Sequence, residues 1–212
     1  MAAAHFFDRH DAGEQLAESV RHYESKNPVV FALPRGGLPL GVAVAKQLNA
    51  PLDLIITRKI GHPYNPEYAI GAISEFGNPI YNPTEIRRVD QKWLQNEEVR
   101  LRNEIKRRRL KYAKNVPHIE SLVGKTAIIV DDGIATGYTM LAAIDDIKQR
   151  SPDKIVVAIP VVPESMAQRL EDIVDEVIAI ERTRHYLGAV GAYYTQFNQL
   201  NDEDVLHYLA QF

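Results

Sequence analysis

The sequence predicts an α/β protein with a doubly wound, mainly parallel sheet. Short apolar segments alternate with longer segments of helical periodicity, which is the pattern of parallel strands joined by helices. The apolar segments contain few polar residues, as expected for strands that helices cover on both faces. With 212 residues, the chain is long enough to form one domain with a substantial core.

The order of the predicted elements supports this fold class. The main strands are predicted at residues 29–33, 52–57, 126–130, 154–161 and 176–180, with weaker strands at 68–74 and 80–81. Helices are predicted over residues 38–49 and from Tyr138 to about Arg150. The segment 58–67 contains two prolines and a glycine and is predicted as a loop.

The composition excludes several classes of function. The chain has no cysteine, which excludes thiol catalysis, disulfide bonds and cysteine-ligated metals. Its net charge of −3 does not favour nucleic acid as a partner. Residues 1–11 lack the apolar core of a signal peptide, and the apolar run 155–162 is too short to cross a bilayer. A soluble, cytoplasmic protein with no membrane partner is therefore expected.

Residues 83 to about 118 are expected to form a helical insertion between core strands. One face is apolar and is formed by Leu94, Leu101, Ile105 and Tyr112. Glu98 and Arg102, and likewise Glu104 and Arg108, have the i,i+4 spacing that stabilises a helix. The insertion could be one long helix or two shorter ones. Its basic face could be solvated, could contact a second subunit, or could cover a polyanionic substrate.

The most informative segment is 127–139, a buried strand that ends in two acids and is followed by a tight loop and a helix. Asp131 and Asp132 stand at the carboxyl end of the strand, where open α/β sheets bind ligands. The loop contains two glycines, which allow a sharp turn, and threonines that add hydroxyl groups. A phosphate suits the N-terminus of the following helix, and the hydroxyls of a ribose suit the acids. A sugar phosphate satisfies both.

Three other kinds of site share features with this segment. Receiver domains also place an acid pair after a strand, but near their N-terminus and without this threonine-containing loop. A kinase-type phosphate loop requires the pattern G-x-x-x-x-G-K-[ST], which the sequence lacks. A strand-to-helix turn can also contain Asp and Gly for capping alone.

Residues 130–137 resemble the signature for phosphoribosyl pyrophosphate (PRPP) of type I phosphoribosyltransferases. The resemblance implies that Asp131 and Asp132 contact the ribose hydroxyls. It implies that the 5′-phosphate is held by Gly133, Ile134, Ala135, Thr136, Gly137 and Thr139. It also implies Mg²⁺ bound through pyrophosphate and water, with no protein ligand assigned with certainty.

Two other segments resemble parts of the same site. Arg35, Gly36 and Gly37 directly follow the first strand and are similar to the family's pyrophosphate-binding loop, although a simple turn with a surface arginine would look the same. Residues 58–67 occupy the place of the family's mobile catalytic loop, from which Lys59 and His62 could face the departing pyrophosphate. The two prolines would stiffen this loop, and His62 fits a structural role equally well.

The C-terminal residues, about 181–212, are expected to form the hood that recognises the acceptor in this family. Tyr186 or Tyr194 could offer a stacking face, or the hood aromatics could simply pack the last strands. Phe6, Asp8 and Arg9 could belong to the hood or cap the first helix. The chain as a whole resembles bacterial phosphoribosyltransferases whose acceptor is not assigned, so no acceptor is carried over.

The predicted reaction is transfer of a 5-phosphoribosyl group from PRPP to a nitrogen nucleophile, such as a nucleobase-like acceptor, with release of pyrophosphate. The catalytic groups are expected to be Asp131, Asp132, Lys59 and Arg35, which act by positioning and electrostatics. The alternative is a PRPP-sensing regulator that binds nucleic acid or a protein, and the basic stretch 100–114 keeps this alternative open. A homodimer is expected by analogy with the family alone.

Overall fold

The computed structural model describes residues 5–112, 116 and 118–212. The strands are β1 (Pro28–Ala32), β2 (Leu52–Leu54), β3 (Arg58–His62), β4 (Asn65–Ile73), β5 (Ile80–Tyr81), β6 (Thr126–Val130), β7 (Lys154–Pro163) and β8 (Glu176–Thr183). The helices are α1 (Arg9–Ser19), α2 (Leu38–Leu48), α3 (Gln91–Tyr112), α4 (Tyr138–Lys148), α5 (Glu164–Glu171) and α6 (Asp202–Ala210). No helix among the described residues has the length and apolar character needed to cross a membrane.

A five-stranded sheet with the order β2-β1-β6-β7-β8 forms the centre of the fold, and its neighbouring strands are all parallel. Side chains alternate between its two faces, so Val30 and Ala32 of β1 pack with α1 and α2 on one side. Val29 and Phe31 pack with residues of α4 on the other side. Because helices cover both faces, β1 and β6 are buried along their whole length. The predicted α/β class with a mainly parallel sheet is confirmed.

The predicted loop at 58–67 is wrong, because this segment forms most of an antiparallel β-hairpin. β3 pairs with β4, and β4 pairs with the short β5 in a second sheet. The register shifts around Gly61, where a Cβ would lie 2.3 Å from the carbonyl oxygen of Pro66. Prolines are tolerated because Pro63 lies in the turn and Pro66 lies on the part of β4 that β5 does not reach.

The predicted insertion contains one long helix, α3, which is preceded by a 3₁₀ turn at Ile86–Arg88. Asp90 caps its start, since the Trp93 N–H donates to Asp90 Oδ1 at 2.7 Å. The apolar face is buried as expected and is formed by Leu94, Leu101, Ile105 and Tyr112. Residues 113–115 and 117 of the predicted range lie outside the described residues.

One of the two predicted ion pairs of α3 forms, and the other does not. Arg108 Nη2 lies 3.4 Å from Glu104 Oε1. Glu98 instead accepts a hydrogen bond from the hydroxyl of Tyr81. Arg102 donates to the carbonyl oxygens of residues 74, 75 and 77 at 3.1 Å each. Tertiary partners therefore replace the local pair, because they satisfy groups that face the body of the protein.

A buried group of charged side chains joins α3 to the main sheet. Asp53 of β2 is fully buried, and it accepts from Arg109 at 2.8 Å and from Arg150 at 3.4 Å. Arg109 also donates to Glu75, and Arg150 to Asp146, each at 2.8 Å. Because each buried guanidinium contacts two carboxylates, the charges are compensated inside the protein. The group thus holds α3, β2 and the end of α4 together.

The two ends of the chain pack against each other beside the sheet. Asp8 caps α1 by accepting from the N–H groups of residues 10 and 11, so one of the two predicted roles for this segment is observed. The neighbouring Phe6 forms a bridge with Tyr194, and their rings lie 5.3 Å apart. The N-terminal segment therefore also packs against the C-terminal residues that are predicted to form the hood, which is the other role predicted for it.

Candidate active site

The loops after β1 and β6 meet at the carboxyl edge of the main sheet, because these two strands are neighbours. Together they form one side of a cavity of about 530 Å³. The start of β3, the C-terminal half of α3, and segments from both ends of the chain line the rest of it. This volume is in the range of cavities that bind small molecules.

The loop after β1 packs tightly against the loop after β6. A Cβ on Gly36 would lie 2.0 Å from Oδ2 of Asp132, and a Cβ on Gly37 would lie 2.7 Å from the carbonyl oxygen of Val130. The peptide bond between Pro34 and Arg35 is cis. Both glycines are therefore required by the contact between the two loops, which the sequence alone did not indicate.

The two acids at the end of β6 lie in a largely buried position. The side chain of Asp132 is 14% exposed, and its Oδ2 accepts from Nε of Arg9 at 2.8 Å. The hydroxyl of Tyr194 donates to the Asp132 carbonyl at 2.6 Å. Burial raises the pKa of Asp131 well above its usual range, and the charge of Asp132 adds to this effect. Burial also raises the pKa of Asp132, although Arg9 favours its ionised form.

Replacing Asp131 with asparagine should make the unliganded protein more stable at pH 7. The folded-state pKa of Asp131 lies above the unfolded value, so the folded state binds more protons and stability falls as the pH rises from about 4 towards the raised pKa. Asparagine does not ionise, so its burial does not reduce stability as the pH rises. Thermal unfolding between pH 4 and pH 7 should therefore show a gap between variant and wild type that grows with pH. Equal melting temperatures at pH 7 would contradict this prediction.

The loop between β6 and α4 presents the start of a helix to the cavity. Gly137 adopts φ 78° and ψ −9°, a left-handed conformation that suits glycine. No side chain among the described residues caps the N-terminus of α4. The first N–H groups of this helix are therefore open to an anion, and Thr136 and Thr139 line the cavity beside them.

Five cationic side chains of the described part of the chain line the same cavity. Arg35 and Lys59 were predicted as site residues, while Arg9, Arg58 and Arg108 were not. Arg9 is 123 positions away from Asp132, so no local motif could connect them. The only sequence signal for Arg108 was the basic face of the insertion. Five cations against two acids suit a ligand of high negative charge.

The structure brings together nearly all residues that were predicted to bind PRPP. Gly37 is the exception, because it packs beneath the cavity against residues 130 and 131 and does not line it. His62 also lies outside the lining of this cavity, and its ring is 5.7 Å from the ring of Tyr64 near the hairpin turn. A role for His62 at a departing group thus has no geometric support.

The hood aromatics mainly pack against one another. Tyr194 is 6% exposed and lies between Phe6 and Phe197, so it offers no free stacking face. Tyr186 stacks on Tyr193 with ring centroids 5.6 Å apart, and burial raises its pKa to about 12. Phe197 lines the cavity, but the guanidinium of Arg9 lies 3.8 Å above its ring centre.

Comparison with known proteins agrees with this geometry. A family model described as the phosphoribosyl transferase domain matches residues 9–195, which include both loops and the helices that flank them. The chain belongs to this family. The resemblance inferred from the sequence is thereby confirmed.

Relatives of this phosphoribosyl transferase domain include two proteins of Mycobacterium tuberculosis, from strains CDC 1551 and H37Rv. Each is 39% identical over 206 residues, and both are provisionally named phosphoribosyl transferases. The match covers 96% of this chain but 46% of those proteins, so the chain spans about half of their length. The crystal structure of TT1426 from Thermus thermophilus is 38% identical with a TM-score of 0.80, and the match covers 97% of this chain and 98% of that one.

Proposed function

We propose that this phosphoribosyl transferase domain transfers the 5-phosphoribosyl group of PRPP to a nitrogen nucleophile and releases pyrophosphate. The observation that carries the proposal is one cavity that contains a buried acid pair, an uncapped helix N-terminus and five cations. A ribose with a phosphate at one end and a pyrophosphate at the other matches these three features. The family membership supports the same assignment.

In the proposed complex, the 5′-phosphate lies at the N-terminus of α4 and accepts hydrogen bonds from its N–H groups and from Thr136 and Thr139. Asp131 and Asp132 accept hydrogen bonds from the ribose hydroxyls. Arg35 and Lys59 contact the pyrophosphate. As the bond from C1 to the pyrophosphate oxygen breaks, positive charge develops on the ring, and the acid pair stabilises that charge.

The donor set of the cavity is compatible with Mg²⁺. Among the described residues, no cluster of three or more His, Asp or Glu side chains could hold a metal by itself. Mg²⁺ commonly takes few protein ligands and completes its shell with phosphate oxygens and water. When bound with PRPP, it would neutralise charge on the pyrophosphate. The residues of the chain would then orient the sugar and exclude water from C1.

The regulator alternative has less support, because much of the basic stretch of α3 is engaged within the protein. Arg102 and Arg109 form hydrogen bonds to the body of the protein, and Arg108 lines the cavity. Nucleic acid therefore remains an unfavoured partner. The nucleobase-like acceptor, a homodimer and a cytoplasmic location stay predictions from the sequence.

Calorimetric titration of PRPP with Mg²⁺ tests the proposal directly. Wild type should bind PRPP in a saturable manner, and the double variant Asp131→Ala/Asp132→Ala should lose this binding, because it removes every carboxylate that would hold the ribose. The double variant Glu14→Ala/Glu18→Ala removes the same charge from the exposed face of α1 and should bind like wild type.

Two results would contradict the proposal. Folded wild type that shows no saturable heat with PRPP would exclude it, and a PRPP affinity unchanged in the acid-pair variant would exclude the assigned site. If PRPP binds but no nitrogen acceptor leads to release of pyrophosphate, the regulator alternative would become the better explanation.

A further inference from the structure

The long helix of the insertion brings an arginine into the candidate active site. Arg108 lies in the C-terminal half of α3, and its side chain lines the cavity together with Arg58 of β3 and Arg35 of the loop after β1. Arg107, the preceding residue of the same helix, is exposed instead. Only one side of this basic stretch therefore faces the site.

A single carboxylate, Glu104, organises the arginines at this end of the cavity. Its Oε1 lies 3.1 Å from Nη2 of Arg58 and 3.4 Å from Nη2 of Arg108. Arg100 approaches its other oxygen more loosely, at 3.9 Å, and also pairs with Glu97. Glu104 thus holds two arginines from different elements side by side, and one negative charge is shared between them.

The arginines retain unused hydrogen-bonding capacity and excess positive charge. The Nε atoms of both Arg58 and Arg108 are buried and have no hydrogen-bond partner among the described residues. The side chain of Arg108 is 16% exposed and that of Arg58 is 32% exposed. Burial lowers the pKa of Arg58, and the neighbouring charge of Arg108 adds to this effect. Glu104 compensates only one of the two positive charges, so the pair retains an excess positive charge that a bound anion could neutralise.

The ligand that fits this arrangement is a diphosphate. Guanidinium groups bind phosphate oxygens through directed, charge-assisted hydrogen bonds, and two of them side by side match a group that carries oxygens on two phosphorus atoms. The start of α4 already offers N–H groups to the 5′-phosphate of the sugar. A second phosphate-binding region of the cavity is therefore needed only for the pyrophosphate.

We infer that Arg108 of the inserted helix, together with Arg58, binds the pyrophosphate end of the substrate in the cavity. This inference rests on the proposed function and deepens it, because it gives the insertion a part in recognition of the leaving group. Glu104 acts as a positioning residue that aligns the two guanidinium groups. The arrangement selects for a sugar phosphate that carries a diphosphate at C1 over one that carries a hydroxyl there.

Calorimetric titrations with two separate probes, inorganic pyrophosphate with Mg²⁺ and ribose 5-phosphate, test the inference. In Arg108→Met, the affinity for pyrophosphate should fall by about tenfold or more, while the affinity for ribose 5-phosphate should change by less than about twofold. Arg108→Lys should be intermediate, because it keeps the charge but loses the planar fork. Arg107→Met is the matched control and should bind both probes like wild type.

The remaining outcomes distinguish failure of the inference from failure of the proposed function. Unchanged pyrophosphate affinity in Arg108→Met would show that the arginine plays no part in binding. An equal loss of affinity for pyrophosphate and for ribose 5-phosphate would show that Arg108 only maintains the structure of the site. If wild type binds pyrophosphate but not ribose 5-phosphate, the proposed function fails while the anion site stands. If wild type binds neither, both fail.

Discussion

Replacing Asp53 with asparagine should lower the free energy of unfolding by about 3–5 kcal/mol, the usual cost of breaking a buried ion pair. Asp53 is fully buried and is the carboxylate that Arg109 and Arg150 share. The variant would leave each buried guanidinium group with a single charged partner, Glu75 for Arg109 and Asp146 for Arg150. Urea unfolding followed by circular dichroism measures the change, and the melting temperature should drop by roughly 10 °C.

An exposed carboxylate provides the comparison for this prediction. Glu14→Gln on α1 removes one negative charge from the surface and should change stability by no more than about 0.5 kcal/mol. A loss below about 1 kcal/mol in Asp53→Asn would mean that the two remaining carboxylates are sufficient. Because Asp53 precedes the segment 57–59 that lines the cavity, the variant should also weaken PRPP binding.

Replacing Gly36 with alanine should weaken PRPP binding by about 100-fold or more, since several directed contacts to the ribose would be misplaced. The added Cβ would lie 2.0 Å from Oδ2 and 2.6 Å from Cγ of Asp132, which is far inside contact distance. The Asp132 side chain would have to rotate away and give up its 2.8 Å hydrogen bond to Arg9. Calorimetric titration of PRPP with Mg²⁺ measures the loss.

A double-mutant cycle separates this clash from general damage to the loop. In an Asp132→Ala background the carboxylate that meets the new Cβ is gone, so Gly36→Ala should cause little further loss of PRPP affinity. If the losses of PRPP affinity in the two single variants simply add in the double variant, the alanine disturbs the loop without acting on the Asp132 carboxylate. A single variant Gly36→Ala that binds PRPP like wild type would exclude the proposed contact between Asp132 and the ribose.

The candidate site was largely predictable because its main parts are local in the sequence. A buried strand, an acid pair and a loop before a helix follow one another within residues 127–139, and the apolar pattern gives their order. Because β1 and β6 are neighbouring parallel strands, their carboxyl ends lie at the same edge of the sheet. Arg35 and Asp131, which follow these strands, therefore line the same cavity. The hairpin β3–β4 was missed because prolines normally argue against strands. Here Pro63 lies in the turn, and Pro66 lies where the register between β3 and β4 shifts, on a part of β4 that β5 does not reach.

The amino-acid sequence by itself determined the fold class, the two loops at the sheet edge and the acid pair, because periodicity and turn chemistry act over short distances along the chain. Only the tertiary structure decided which distant charges reach the cavity. Arg9 meets Asp132 from the N-terminal helix, and Arg108 enters from α3, where its exposed neighbour Arg107 looks identical in sequence. The physical reason is that a helix spreads successive side chains around its axis, so packing against the sheet selects which arginine is buried and which is solvated.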